Sequence, residues 1–372
     1  MTAITRTADA LLVPTSVAPQ GESVLEHILF ALKHEGTNLA VLRLAMPTLA
    51  PESLSHALAI TPNSGYLRIT AYLFEAFTGQ LLQDIPALRG SFTHLFDPDL
   101  YYTGDPVKNS RWRINFNGIG SLNYCVTVRK TEALAQLLAL NILEKVRAFY
   151  ADARAEVLDR ALSWAYLSET EGTFALENES PRDDKAAIFV KLLQQAHEPR
   201  PMTEGYLVEL QNSTVTNPLD HATQYRIEQN WLRKRGLRGP AGVSYIPPKP
   251  DDIDDLMQKL LSLLNEKPAA IDPIMLAAII SFGFVFIHPF MDGNGRLSRF
   301  LFHYTLCQSG ALPKGLMLPV SIALKRSEDR YLEALRRVVS FGFFLGDLTL
   351  SWQKENGSLG TMRFAPRKAP AR

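Results

Sequence analysis

The sequence contains little of what marks secreted, metal-binding or membrane-spanning proteins. It has 2 cysteines in 372 residues, and Cys125 and Cys307 show neither metal-binding nor redox spacing, which favours two free thiols in a reducing compartment. The longest apolar run, IMLAAIISFGFVFI at 274–287, is too short to span a bilayer. The first residues, MTAITRTADALLVPTSVAPQ, lack the apolar core of a signal peptide. We therefore expect a cytoplasmic protein that does not enter a membrane.

The chain also lacks an excess of charge of either sign. Its 39 Lys and Arg side chains against 38 Asp and Glu leave a net charge of +1, so no overall field attracts nucleic acid or an anionic membrane. Hydrophobic residues make up 46% of the chain and charged residues 21%, as in ordinary globular proteins. With 372 residues and no internal repeat, the chain is long enough for two domains.

Helical periodicity is the main secondary-structure signal. Apolar residues at helical spacing predict helices at 24–36 and 66–79, each ending at a glycine, and a long helical stretch at 131–167 before a polar break at 168–185. Further helices are predicted near 183–198, 203–213, 250–265 and 272–287. The segment 225–250 alternates and carries Gly-Pro and Pro-Pro turns, which predicts a β-hairpin. The predicted fold class is therefore mainly α, with a small β-hairpin flap and a mostly helical N-terminal domain.

One stretch, FVFIHPFMDGNGRLSRFLF at 284–302, places polar groups between two apolar runs. The helix predicted at 272–287 ends at His288, because a residue before proline is pushed out of the helical region. A glycine-rich loop then leads into a second helix, and the converging N–H groups at such a helix start bind anions. Arg296 and Arg299 are three residues apart, so they share one side of that helix and can reach phosphate oxygens.

Two further groups in this stretch suit phosphate chemistry. Asp292 is a single carboxylate, and Mg²⁺ commonly takes one or two protein oxygens and completes its shell with phosphates and water. His288 lies beside the loop and is placed to take a proton from a nucleophile. The structural alternative is a corner between two helices with a capping histidine and solvated arginines. The combination of His-Pro-Phe, an acid, Gly-Asn-Gly-Arg and a further Arg favours the chemical interpretation.

The same stretch resembles the signature of the Fic (Fido) family, H-P-F-x-[D/E]-G-N-G-R-x-x-R, at every position. The resemblance extends from about residue 165 to 340, and it implies a helical core that transfers AMP from ATP to a Ser, Thr or Tyr hydroxyl of a target protein. It implies that His288 is the general base, that Asp292 carries Mg²⁺, and that Pro289 and Phe290 anchor the loop. The phosphate-binding residues implied by the resemblance are Gly293, Asn294, Gly295, Arg296 and Arg299.

A second motif lies upstream, in TFALEN at 173–178. It resembles the inhibitory motif of the family, [S/T]-x-x-x-E-[G/N], with Thr173, Glu177 and Asn178 at the defined positions. The resemblance implies a class II Fic protein that carries its inhibitor in an N-terminal helix. Glu177 would pair with Arg299 and occupy the guanidinium meant for the γ-phosphate of ATP. The alternative is an ordinary glutamate on a helix surface.

The remaining predictions concern the organisation of the chain and the recognition of its partner. The expected parts are an N-terminal mostly helical domain of unknown role (1–150), an inhibitory helix region (151–202), the Fic catalytic core (203–350) and a basic, disordered tail (351–372). The flap could add a strand to an extended target segment, so Tyr225, Trp231 and Tyr245 are predicted target-docking residues. A plain hairpin packed on the core is the alternative.

The sequence thus predicts an autoinhibited protein adenylyltransferase with ATP as substrate, Mg²⁺ as its ion and a protein as its target. Two rival functions stay open. One is removal of AMP from the target, alone or beside transfer, with Glu177 orienting a water. The other is a regulator in which residues 1–150 recognise a partner or DNA and the Fic core is an accessory. Self-modification and a homodimer also stay open, whereas a nucleic-acid partner is disfavoured.

Overall fold

The computed structural model describes residues 5–6, 11–14, 16–19, 21, 23–177, 183–215, 217–233 and 242–340. Asn178 and the predicted tail at 351–372 lie outside the described residues. The chain forms two compact units, Met1–Thr131 and Glu132–Arg372. The described secondary structure is mostly helical, which confirms the predicted mainly α fold class. The finer division of the chain into four parts stays a prediction.

The first unit contains four α-helices and nine short strands among its described residues. The helices are α1 (Val24–Phe30), α2 (Leu39–Ala45), α3 (Pro51–Ile60) and α4 (Gly65–Thr78), and a π-helical turn, Ala31–Glu35, extends α1 to Gly36. The strands are β1 (Thr5–Arg6), β2 (Leu11–Leu12), β3 (Thr93–His94), β4 (Tyr101–Tyr102), β5 (Val107–Asn109), β6 (Ile114–Phe116), β7 (Ile119–Ser121), β8 (Tyr124–Val126) and β9 (Val128–Arg129). In the three-stranded sheet, β6 lies between a parallel β3 and an antiparallel β5, and the other strands form antiparallel pairs.

The core of the first unit surrounds α4. This helix begins where the Ser64 side chain accepts the N–H of Leu67, and it ends at Gly79 with a left-handed φ of 71°. Trp112 is fully buried against it, and its indole Nε1–H donates to Glu75 at 2.8 Å. Arg68 is also buried, with its guanidinium donating to backbone carbonyls and to a threonine hydroxyl. Burial therefore extends beyond apolar side chains, because most of these polar atoms, though not Arg68 Nε, have partners.

The second unit contains ten α-helices and two strands among its described residues. The helices are α5 (Glu132–Ala139), α6 (Ile142–Asp152), α7 (Ala155–Leu176), α8 (Asp183–Gln194), α9 (Glu204–Thr214), α10 (Ile253–Glu266), α11 (Pro273–Ile287), α12 (Asn294–Gln308), α13 (Val320–Arg326) and α14 (Glu328–Ser340). Helices α11 and α12 form its centre, since Ile280, Phe284, Leu297 and Phe300 are fully buried. The strands β10 (Leu232–Arg233) and β11 (Val243–Tyr245) pair antiparallel, which confirms the predicted hairpin flap.

The long helical stretch predicted at 131–167 is three helices, and the polar break expected to begin at residue 168 was placed too early. Asn141 separates α5 from α6 in a left-handed conformation that asparagine tolerates, and an extended Ala153 separates α6 from α7. Helix α7 then continues to Leu176, so its last turns carry the polar residues Glu169 and Thr173. Both side chains are fully buried. They are compatible with a buried helix because each has a hydrogen-bond partner from a distant part of the chain.

No described helix combines the length and the apolar character that crossing a membrane requires.

Candidate active site

The site lies where α11 ends and α12 begins. The Asp272 carboxylate accepts the N–H groups of Ile274 at 2.9 Å and Met275 at 3.1 Å, which fixes the start of α11. The helix ends at His288, whose φ of 54° is left-handed. Gly293, with φ of 83°, then turns the chain into α12. The predicted helix, loop and second helix are therefore present in this order.

His288 is buried and presents one nitrogen as a base. Its Nδ1 lies 3.1 Å from the carbonyl oxygen of Val285, and because a carbonyl can only accept, Nδ1 carries the hydrogen. Nε2 is then the nitrogen with the available lone pair. Burial lowers the pKa of His288 to about 4, and the Arg226 guanidinium contributes to the decrease. The imidazole is therefore neutral at pH 7 and able to accept a proton.

The loop between the two helices is closed by contacts of Phe290 and Asn294. Phe290 is almost fully buried, with its ring centroid 5.6 Å from that of Tyr225 and 6.4 Å from that of Phe284. The Asn294 side chain accepts from the Phe290 N–H at 3.0 Å and donates to its carbonyl at 2.7 Å. The Asn294 amide thus stabilises the loop.

Glu177, at the end of α7, lies beside this loop and contacts Arg296 and Arg299. Its Oε1 forms an ion pair with Nη2 of Arg299, and its Oε2 lies 3.0 Å from Nε of Arg296 as an ion pair without the alignment of a hydrogen bond. A Cβ on Gly295 would lie 2.6 Å from Glu177 Oε1. The carboxylate therefore fills the space that this glycine leaves open. The pairing with Arg296 was not predicted, although residues three apart on α12 share a face.

Thr173 connects Arg299 to a buried hydrogen-bond chain. Arg299 Nε donates to Thr173 Oγ1 at 3.1 Å, and Thr173 Oγ1 lies 2.9 Å from Ser321 Oγ. Ser321 donates its hydroxyl hydrogen to a carboxylate oxygen of Glu169 at 2.7 Å, so the hydrogen between Thr173 and Ser321 comes from Thr173. Glu169 also accepts the Ser321 N–H at 2.8 Å and lies 2.9 Å from Nε2 of His303. This chain fixes the end of α7 against α12 and α13.

Asp292 is the exposed acid of the loop. Its side chain is 51% exposed, and Oδ2 lies 3.4 Å from Nη2 of Arg296. The described residues contain no group of three or more His, Cys, Asp or Glu that could hold a metal ion. A site with one carboxylate fits Mg²⁺ that is bound together with a nucleotide, because phosphate oxygens and water would complete the coordination of the ion. Arg296 itself is fixed by donation from Nη1 to the carbonyl of Thr214 at 2.7 Å.

The structure corrects two of the three predicted docking residues of the flap. Tyr225 is 6% exposed and packs on Phe290, and Tyr245 is 5% exposed with its hydroxyl donating to the carbonyl of Phe286 at the end of α11. These tyrosines connect the flap to the core, so they are not available to a target. Trp231 is 48% exposed, and its docking role stays a prediction. The tip of the flap at 234–241 lies outside the described residues.

Comparisons with known proteins match part of this chain. The Fic/DOC family profile matches residues 201–306. The chain is 41% identical over 93 residues to Protein adenylyltransferase Fic of Drosophila virilis and 43% identical over 93 residues to that of Drosophila melanogaster. Each alignment covers 25% of this chain and 18% of the relative, so the chain spans less than a fifth of the length of these relatives.

Solved structures are similar at lower identity. A Fic family protein from Desulfovibrio desulfuricans G20 has 21% identity and a TM-score of 0.46, covering 57% of this chain and 68% of that chain. Fic-1 (aa134 - 508) from C. elegans has 16% identity and a TM-score of 0.39, covering 87% of this chain and 95% of that chain. The profile match includes His288, the glycine loop and both arginines. Residues 201–306 therefore match a Fic/DOC domain.

Proposed function

We propose that the protein is a class II Fic adenylyltransferase, which transfers AMP from Mg²⁺-bound ATP to a Ser, Thr or Tyr hydroxyl of a target protein and is autoinhibited by Glu177. One observation carries the proposal. The Glu177 carboxylate is paired with both Arg296 and Arg299 and lies against Gly295, so an internal anion occupies an anion site beside a neutral histidine. The relatives with the name protein adenylyltransferase support the direction of the reaction.

The reaction we propose is an in-line displacement at the α-phosphorus. Nε2 of His288 takes the hydroxyl proton as the target oxygen forms its bond to phosphorus, and the bond to the pyrophosphate oxygen breaks. The N–H groups at the start of α12 and the guanidinium groups of Arg296 and Arg299 stabilise the charge of the phosphate oxygens. Asp292 would hold Mg²⁺, which neutralises phosphate charge when it is bound with ATP. Pyrophosphate is the leaving group.

The test is whether the α-phosphate or the γ-phosphate of ATP is transferred to protein. Full-length Glu177→Gly chain is incubated with a cell lysate and ATP labelled either at the α-phosphate or at the γ-phosphate. We expect label from the α-phosphate in protein, and a peptide that carries AMP on Ser, Thr or Tyr by mass spectrometry. Transfer of the γ-label would identify a kinase, and the absence of both labels would reject adenylyl transfer.

Removal of AMP is a second candidate, because the Glu177 carboxylate lies in the same site, where it could orient a water. Protein modified by the Glu177→Gly variant would be purified and incubated with wild-type chain and Mg²⁺ in the absence of ATP. Release of AMP by the wild type, and not by Glu177→Gly, would support this reaction. Full retention of the label would exclude it for that target.

Asp292→Ala is expected to abolish the dependence of ATP binding on Mg²⁺. In the Glu177→Gly background, Mg²⁺ should tighten ATP binding by about tenfold, because an ion held by one carboxylate bridges the protein and the phosphates. Asp292→Ala should remove this gain and leave the weaker, Mg²⁺-independent binding. Calorimetric titration with and without Mg²⁺ measures both. Asp251→Ala, at an 85% exposed acid elsewhere in the unit, is the control and should keep the gain. An undiminished Mg²⁺ effect in Asp292→Ala would exclude the ion-binding role.

Ser321→Ala is expected to release part of the inhibition. The substitution removes the acceptor for the Thr173 hydroxyl and one donor to Glu169, so the end of α7 is held less firmly against Arg299. A net loss of about 1 kcal/mol would raise the transfer rate by about three- to tenfold above wild type, below the rate of Glu177→Gly. Initial rates with labelled ATP measure the change. Ser309→Ala, at an exposed serine of the same unit, should leave the rate unchanged. A Ser321→Ala rate equal to wild type would show that the hydrogen-bond chain does not contribute to inhibition.

A further inference from the structure

The segment that leads into the flap binds the backbone of the catalytic loop at three consecutive residues. Arg226 Nε donates to the carbonyl of His288 at 2.8 Å, and Arg226 N–H donates to the carbonyl of Pro289 at 2.8 Å. Asn230 Nδ2 donates to the carbonyl of Phe290 at 3.0 Å. Three successive peptide groups that begin at the proposed base are therefore held from one short segment, 226–230.

The same guanidinium also binds both sides of the flap. Arg226 Nη1 donates to the carbonyl of Glu228 at 2.8 Å, just before β10, and Nη2 donates to the carbonyl of Pro248, just after β11. Gln229 Nε2 adds a contact to the carbonyl of Pro247 at 3.1 Å. One side chain thus connects the two stems of the hairpin with the residue that is proposed to move the proton.

Stability alone is a poor explanation for this arrangement. Arg226 is 5% exposed, and the acceptors of its guanidinium are backbone carbonyls. A cation buried without an anion is costly, and burial lowers the pKa of Arg226 to about 10. The contact to the His288 carbonyl fixes a backbone that has a left-handed conformation. The direction of the ring is fixed by the hydrogen bond from Nδ1 to the Val285 carbonyl. Both the backbone and the ring of His288 are then held.

We propose that Arg226 is a positioning residue for the transfer reaction, which aligns the His288 imidazole with the flap by binding the His288 carbonyl and both flap stems. This inference rests on the proposed transferase function. Its guanidinium donates to backbone carbonyls, so Arg226 should act on the rate of the chemical step and leave nucleotide binding nearly unchanged.

Kinetics of the full-length chain in the Glu177→Gly background test the proposal. Arg226→Gln should lower kcat for transfer from labelled ATP by about tenfold, because a small misplacement of a base has a large effect on rate, while the Kd for ATP changes less than about threefold. Arg226→Lys keeps the charge and can reach one carbonyl, so it should recover part of kcat. The matched control is Arg68→Gln, at a buried arginine of the other unit that also donates to backbone carbonyls. It should keep kcat.

The titration of His288 gives a readout that does not need activity. Among the described residues, the charged groups that act on the imidazole are Arg226, which disfavours its protonated form, and Asp292, which favours it; the Val285 carbonyl also favours it through Nδ1. Arg226→Gln should therefore raise the His288 pKa, whereas Arg226→Lys should leave it low. NMR of ¹³C-labelled histidine, with the signal assigned by its loss in His288→Ala, measures the shift.

The outcomes separate the two proposals. If the Glu177→Gly parent transfers no AMP, the transferase function fails, and a raised His288 pKa in Arg226→Gln would still show that Arg226 acts on the imidazole of this site. A kcat within twofold of the parent together with an unchanged titration would overturn the positioning role, and so would equal losses of kcat and ATP affinity. If Arg226→Gln does not fold, Asn230→Ala removes one of two amide donors to the Phe290 carbonyl. It should lower kcat several-fold at constant Kd for ATP, and an unchanged kcat would reject the proposal.

Discussion

Glu177→Gly is expected to raise the rate of AMP transfer by about 10- to 100-fold over wild type. One carboxylate now pairs with Arg296 and Arg299 and fills the space beside Gly295, so in the proposed mechanism ATP phosphates would compete with it for the same donors. Removing the side chain frees both guanidinium groups and leaves the loop unchanged. The measurement is the initial rate of label incorporation from ATP labelled at the α-phosphate, over a range of ATP concentrations with wild type in parallel.

Two further variants test whether the gain comes from the ion pairs. Arg299→Ala in the Glu177→Gly background should return the rate to wild type or below, because the freed guanidinium is then absent. Glu171→Gly introduces the same residue at an exposed position of the same helix and should leave the rate unchanged. A Glu177→Gly rate equal to wild type at every ATP concentration would refute the inhibitory role.

Glu177→Gln separates the charge of the side chain from its volume. The amide has nearly the shape of the carboxylate but no charge, so it keeps the space beside Gly295 filled and weakens both contacts to the arginines. We expect a rate between those of wild type and Glu177→Gly. A rate as high as that of Glu177→Gly would show that inhibition is electrostatic, whereas a wild-type rate would show that it is steric.

The helix, loop and second helix of the site could be predicted from sequence because their signals are local. Asp272 before Pro273 marks the start of α11, Pro289 restricts the backbone of His288, and Gly293 permits the left-handed turn into α12. Each signal acts within a few residues. The loop residues come from the same short stretch, and the structure contains the helix, the loop and the second helix in the predicted order.

The extent of α7 could not be predicted, because long-range contacts decide it. Glu169 and Thr173 are polar and suggest a solvated break when the sequence is considered by itself. In the structure they are fully buried, and Ser321, 152 positions after Glu169, supplies partners to both. Gly172 contributes as well, since a Cβ there would lie 2.9 Å from Ser321 Cβ. No local pattern relates residues of α7 to a serine of α13.

The orientation of the flap side chains could not be predicted from the sequence either. Alternation and turn residues predict a hairpin, and strands β10 and β11 are present. The pattern does not tell which aromatic side chains face the core, and Tyr225 and Tyr245 are buried there. Nor does it indicate that Arg226, which looks like a surface residue of a polar segment, is buried on the carbonyl of His288. Which flap residues are available to a target depends on tertiary packing.

His288→Ala is expected to reduce AMP transfer by about 10²- to 10⁴-fold while ATP affinity stays within about twofold. The structure supports this separation, since Nδ1 is bound to the Val285 carbonyl and Nε2 is the basic nitrogen, whereas the arginines and the α12 N–H groups are the candidates for phosphate binding. In the proposed reaction the imidazole moves a proton and holds no phosphate. The assay is transfer in the Glu177→Gly background, with ATP binding measured by calorimetry on the same preparations.

One control variant and two contrary outcomes test the role of His288. His56→Ala removes an exposed imidazole from the first unit and should leave transfer unchanged. Parallel losses of transfer and ATP affinity in His288→Ala would mean that the substitution disturbs the loop, because the αL backbone at this position is held partly by the carbonyl contact to Arg226. Residual transfer above about a tenth of the parent rate would reject His288 as the base, because general base catalysis by a positioned side chain contributes at least about a hundredfold.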